Sequence, residues 1–242
     1  MKYVKTLIIA LLFTSNSFSQ ESENVKCTNC DYSFSYDYEF NFEDIDSTEF
    51  RNLKKSYINK IENDSTKIIL KDTLFSIATA NGNRTFNTDY GGNSGNRGFS
   101  WTEYRGYIPE LKSYVLEGWS VSEFTFGESY LIDSLTNTEF RFQSLFDGAN
   151  ELPVISPKNS YLISYANSIY EPEGACRLSL IKIDQTKKEL ELNGYIYFES
   201  NKWSISEIVW IDEKSFAIKV NSQNYNGKKW IDNFSYLKTS FE

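Results

Sequence analysis

Histidine is absent from all 242 residues. That removes Ser-His-Asp and Cys-His catalysis, His-ligated zinc and any histidine-based pH switch. An enzyme built on this chain would have to use carboxylates, lysine or tyrosine. Long apolar runs are also missing. The longest, Leu7–Phe13, has seven residues, against about 20 for a bilayer-spanning helix. Cysteine is scarce, with only Cys27, Cys30 and Cys176. Basic charge is in deficit: 25 Lys and Arg face 33 Asp and Glu, for a net charge of −8. An acidic surface repels phosphate, so neither nucleic acid nor an anionic membrane surface is an expected partner.

The short apolar run has the layout of an export signal. Lys2 and Lys5 precede it, and Ser17-Phe18-Ser19 follows with small residues where a signal peptidase reads them. The sequence therefore predicts a signal peptide over residues 1–19, cleaved before Gln20, and a periplasmic or extracellular protein with no membrane insertion after cleavage. Losing residues 1–19 removes two lysines and takes the net charge to −10. The remaining residues, 20–242, suit a single domain large enough to bury its own core.

An oxidising compartment favours a disulfide and leaves one thiol over. Cys27-Thr28-Asn29-Cys30 has redox spacing but is followed by a strand pattern rather than a helix, and two cysteines without histidine fall short of a zinc site. The pattern is read as a structural Cys27–Cys30 bridge with Cys176 free. No metal and no cofactor are expected.

Aromatics are plentiful, with 17 Tyr and 18 Phe, and this favours strands. Tyr32, Phe34, Tyr36, Tyr38, Phe40 and Phe42 alternate with polar residues, which predicts one long half-buried strand over 32–42. Asp46 and Glu49 have capping-box spacing. Phe50, Leu53, Tyr57 and Ile61 then recur at helical steps, predicting a helix over 47–62. Residues 67–80 read as strand and 81–98 as loop. Gly91–Gly98 is rich in Gly and Asn but lacks the Gly-Lys-Ser/Thr ending of a phosphate loop.

A repeat occupies the second half. Ser113-Tyr114-Val115-Leu116, Ser160-Tyr161-Leu162-Ile163 and Ser215-Phe216-Ala217-Ile218 each follow a short turn, 47 and then 55 residues apart. Hairpin signatures follow at Tyr130–Asp133 with Thr136 and Glu139, at Ile181–Asp184 with Thr186 and Glu189, and around Asn226-Gly227. Val154–Ile163 resembles the strand-turn-strand of periplasmic β-propeller blades, and the Asp184 hairpin resembles their outer turn. The resemblance covers residues 105–240. It departs where Lys158-Asn159 replaces Asp-Gly and where no Gly follows Thr136 or Thr186. It implies blade geometry and no particular activity. The expected fold is mainly β, a propeller-like stack of antiparallel blades with one N-terminal helix. A β-sandwich or an incomplete propeller is the alternative.

Trp101, Tyr104, Arg105 and Tyr107 follow the Gly-rich loop and form the candidate binding group. Asp89, Glu103, Glu110 and Glu117 surround the same segment, but no spacing singles out a catalytic pair. The functional expectation is an exported acidic binding or interaction protein with a protein or glycan partner. The alternatives are a carboxylate-dependent glycan hydrolase and an inhibitor or immunity-type partner of another exported protein.

Overall fold

The structure, a computed structural model, describes residues 27–28, 40–88, 99–121, 125–142, 146, 150–168, 170–171, 174–184 and 191–241. The expected signal peptide, most of the 32–42 strand, Cys30, the Gly-rich loop at 91–98 and the turn at 185–190 lie outside the described residues.

Chain order begins with β1 (Cys27–Thr28), β2 (Glu43–Ile45) and α1 (Ser47–Ser56). Next come β3 (Ile68–Lys71), β4 (Leu74–Thr79) and β5 (Gly82–Asn87), then β6 (Phe99–Ile108), β7 (Ser113–Val121), β8 (Thr125–Asp133) and β9 (Glu139–Arg141). The rest are β10 (Val154–Ile155), β11 (Tyr161–Asn167), β12 (Cys176–Asp184), β13 (Glu191–Ser200), β14 (Ser204–Trp210), β15 (Ser215–Tyr225) and β16 (Trp230–Ser240).

These strands form four sheets. In chain order they are β3-β4-β5, β1-β9-β8-β7-β6, β10-β11-β12-β13 and β14-β15-β16-β2. All pairings are antiparallel except that of β1 with β9. The protein is mainly β, and none of the sheets closes into a barrel or propeller. No helix among the described residues is long and apolar enough to cross a membrane.

Each sheet is too thin to bury its own apolar residues, so neighbours share a core. Phe75 and Ile77 of the first sheet meet Tyr114, Leu116, Tyr130 and Ile132 of the second. The second sheet's other face, with Val115, Leu131 and Phe140, meets Leu162, Ile181 and Ile183 of the third. Ile163, Leu178 and Leu180 on the opposite side of the third sheet meet Trp210, Phe216 and Ile218 of the fourth. Finally α1 lays Phe50 over Val209 and Ala217 on the outer face of the fourth sheet. The four sheets therefore pack one on the next in chain order. The fourth-sheet end is covered by α1, while the first-sheet end leaves Ile69 and Leu70 exposed.

The repeated segments take equivalent places. Ser113 and Ser215 open β7 and β15, and Tyr161 opens β11; each is the second strand of its sheet, paired antiparallel to the first. The β8–β9 turn shows why an Asp begins it. The Asp133 carboxylate accepts from Leu135 N–H at 2.8 Å and from the Thr136 hydroxyl at 2.9 Å.

Three expectations need correction. The helix ends at Ser56, not near residue 62. Asp46 caps its start, accepting from Thr48 and Glu49 N–H, but Tyr57 is extended and sends its hydroxyl to the Ile155 carbonyl of the third sheet. Asn59 then accepts from Ile61 N–H in a local turn, so side-chain turn chemistry displaces helical pairing. Residues 82–87, expected as loop, form β5. Phe86 stacks on Phe75 at 5.1 Å and Thr85 bonds Ser76 at 2.8 Å. Lastly, Phe40–Phe42, the described part of the 32–42 segment, is not strand; the Asn41 carbonyl accepts from the Thr239 hydroxyl of β16 at 3.0 Å. Phe40 is buried and Phe42 half-buried between the third and fourth sheets, and the strand that joins the fourth sheet is β2.

After α1 the chain becomes a strap across the stack. Lys60 donates to the Pro157 carbonyl at 2.6 Å. Glu62 exchanges backbone bonds with Tyr107 at 2.8 and 2.9 Å. The Asp64 carbonyl accepts from the Tyr104 hydroxyl at 3.1 Å. The strap presses so closely on β6 that residue 106 must be glycine. Its φ is +147°, and a Cβ there would lie 2.5 Å from Ile61 Cγ2 and 3.0 Å from the Glu62 carbonyl oxygen.

Candidate functional site

The strand alternation of β6 sends the four sequence-selected residues to opposite faces. Tyr104 and Tyr107 pack into the core between the first and second sheets. Burial pushes the Tyr104 phenol up to about 12, and Lys67 sits 4.8 Å above the Tyr107 ring. These two rings are structural contacts of the strap and of the first sheet. Trp101 and Arg105 lie on the opposite face, so the group of four is not one site.

What lies beside Trp101 and Arg105 is a compact aromatic and charged array. Trp101 stacks on its cross-strand neighbour Trp119, with centroids 5.9 Å apart and planes 11° from parallel. Trp101 Nε1 donates to Glu103 at 3.2 Å. Glu103 faces Glu117 across the ladder, and Arg105 reaches both carboxylates, at 3.4 and 3.3 Å. Burial pushes Glu117 up, Arg105 pulls it back, and Glu103 and Glu151 add repulsion; the net shift is upward. The indole N–H of Trp119 has no partner among the described residues.

The other face of the same strands, where they extend past the first core, forms the floor of a cleft of about 420 Å³. Its wall is Thr85, Phe86 and Asn87 of β5, and its floor carries Ser100, Thr102, Gly118, Ser120, Glu128 and Tyr130. Phe126 stands at its edge, 46% exposed. Gly118 gives the floor its depth: a Cβ there would lie 3.3 Å from Tyr130 Cε1. Across the ladder, Arg141 pairs with Glu128 at 2.6 Å and with Glu139 at 2.7 Å, and Arg84 meets the second oxygen of Glu139 at 2.7 Å. The Arg141 side chain is 40% exposed and that of Glu128 39%, so both remain open to a ligand. The cleft thus combines hydroxyls, one accessible ion pair and two phenylalanine faces, the mixture that orients a polar ligand on an apolar bed.

Reasoning from sequence missed this cleft because its wall lies on β5, which reads as loop. The signal was nonetheless present in Thr85-Phe86-Asn87, an alternating segment immediately after the Asn81-Gly82 turn. Among the described residues no group of three or more Cys, Asp or Glu is placed to hold a metal. A second cleft, of about 310 Å³, lies where α1 meets the third and fourth sheets. Lys54 pairs there with Glu207, and Tyr165, which burial shifts strongly upward, forms part of its lining.

A comparison of the chain with protein-family models, curated proteins and solved structures finds no match.

Proposed function

We propose that this is an exported binding protein that takes a polyhydroxylated ligand, a short oligosaccharide, in the cleft between its first and second sheets. One observation carries this reading: Phe86 and Phe126 flank a floor of Ser, Thr and Tyr hydroxyls beside the accessible Glu128–Arg141 pair. Sugar rings present apolar C–H faces and a rim of hydroxyls, and both halves of that chemistry have counterparts here. The architecture we infer is an incomplete propeller. Four successive sheets, three of them with equivalent second strands, support it, as does a short N-terminal strand completing the last sheet.

The test is titration of the protein with soluble oligosaccharides, followed by tryptophan fluorescence, since Trp101 and Trp119 border the cleft. Phe126→Ala should weaken binding about tenfold, or about 1.4 kcal/mol. Unchanged affinity in Phe126→Ala and Glu128→Gln would place the ligand elsewhere. The second reading, a carboxylate-dependent glycan hydrolase, draws on the Glu103–Glu117 neighbours. It requires release of reducing sugar by the wild type and its loss in Glu117→Gln.

A further inference from the structure

β15 and β16 run on well beyond their neighbours. β14 pairs with β15 only as far as Asn221, and β2 pairs with β16 only at Tyr236–Lys238. Residues 222–225 and 230–235 therefore form a two-stranded ribbon with no further strand beside it among the described residues, and it turns at Asn226-Gly227. Asn226 Oδ1 accepts from the N–H groups of Lys228 and Lys229, both at 3.0 Å. One face of this ribbon continues the face that α1 covers further back. By the register, that face carries the pairs Tyr225–Trp230, Gln223–Asp232 and Asn221–Phe234. Tyr225, Trp230 and Phe234 are 57%, 44% and 49% exposed, and the first two rings lie 5.5 Å apart.

The polar pair between the rings decides what such a face can bind. Asp232 Oδ1 accepts from Asn221 at 2.9 Å and Gln223 at 2.7 Å. These bonds hold the carboxyl below its ordinary range, hence ionised, and leave its second oxygen free of these bonds. Covering an ionised carboxylate with acyl chains or with another protein's apolar core is costly. A sugar chain meets no such penalty, because its C–H faces stack on the rings while its hydroxyls donate to Asp232. Trp230 and Phe234 are four residues apart, about 13 Å along a strand, so the face is long enough for more than one sugar ring; Lys219 Nζ lies 4.1 Å over the Phe234 ring, which leaves Tyr225 and Trp230 as the stacking rings and Phe234 with Lys219 as the polar end of the face. It is flat and open, unlike the cleft, and suits an extended polymer.

We propose that the ribbon face formed by Tyr225, Trp230, Asp232 and Phe234 is a second carbohydrate site, which holds an extended uncharged polysaccharide. This deepens the oligosaccharide reading of the cleft but rests on separate residues.

The test is affinity electrophoresis of the mature chain in native gels containing hydroxyethyl cellulose, glycol chitin or xylan, with the cleft titration run in parallel. Wild type should be retarded by at least one polymer. Trp230→Ala and Tyr225→Ala should each lose most of that retardation while keeping oligosaccharide affinity in the cleft. Circular dichroism and melting of these exposed-site variants serve as the folding check. Phe126→Ala should do the reverse. Retardation that survives both ribbon substitutions overturns the proposal and leaves the cleft reading standing. Loss of retardation in the ribbon variants, with no titratable cleft, sustains the ribbon site and removes the cleft. The proposal is also overturned if wild type is retarded by none of the three polymers. Trp230-dependent binding to anionic vesicles, or Trp230-dependent self-association, in place of polymer binding would assign the face to lipid or to a second copy.

Discussion

Cys176 is a free thiol with no exposed surface, part of the core shared by the third and fourth sheets. Burial pushes its pKa up to about 12, so the reactive thiolate is suppressed. Native protein should leave Cys176 unlabelled by a maleimide at pH 8, with labelling appearing only across the unfolding transition. Fast labelling of the folded protein would contradict this burial. Cys176→Ser places a hydroxyl in an apolar cluster and should cost about 1–3 kcal/mol. The sequence reads Cys176 as a small hydrophobe at the start of a strand, but neighbouring residues could not show that two sheets close over it. Glu213 is another residue whose role depends on a distant element. From the turn between β14 and β15 it accepts from the Ser156 hydroxyl at 2.6 Å and from Lys158 and Ser160 N–H at 2.7 and 2.8 Å, tying the fourth sheet to the third. Burial alone would raise its pKa; the hydrogen bonds outweigh that and the net shift is downward. Its contribution is thus complete above the unfolded carboxyl range and is lost as pH falls through the lower folded value. Glu213→Ala should cost about 2 kcal/mol at pH 7, and the gap between mutant and wild-type melting should narrow toward pH 3. A gap independent of pH would mean that Glu213 does not act through its charge.

The elements with strong local signals were legible. Asp46 starts the helix, Asn226-Gly227 turns the last hairpin, and the repeated Ser-Tyr/Phe segments open second strands. Where long-range contacts decide the outcome, sequence periodicity fails. Tyr57 and Ile61 continue the helical spacing of Phe50 and Leu53, yet both leave the helix to fill other cores, Tyr57 over the fourth sheet and Ile61 beside the second and third. The candidate site fared similarly. The selected segment 101–107 does border the cleft, but pleating divides its side chains between two faces and the opposite wall comes from β5. The strap itself gives an element-scale test. Gly106→Ala forces a Cβ into Ile61 and the Glu62 carbonyl in a backbone conformation that side chains avoid. It should cost about 2 kcal/mol and speed hydrogen exchange at the Glu62 and Tyr107 amides. If those amides stay protected, the strap is not held against β6 as described.

At the scale of the whole molecule, stability should be graded along the stack. Among the described residues, the second and third sheets are each covered on both sides, the fourth is covered by the third and by α1, and the first by the second alone. In such a nearly one-dimensional array the end with fewest contacts opens first. Native-state hydrogen exchange should therefore be fastest in β3 and slowest in β7, β8, β11 and β12; uniform protection across the four sheets would mean that they open as one cooperative unit. The pairing of β2 with β16 joins Ile45 to Tyr236, a closure that spans nearly all of the described chain. Synthesis is vectorial, so β2 emerges early and must wait for β16, its partner among the described residues. α1 waits less long, because Val209 and Ala217, which it covers, are in place once β14 and β15 are made. A nascent chain stopped before Trp230 should therefore show protease-sensitive peptide bonds in residues 43–46, and these should become resistant only once β16 is supplied, whether as continued synthesis or as a separate peptide.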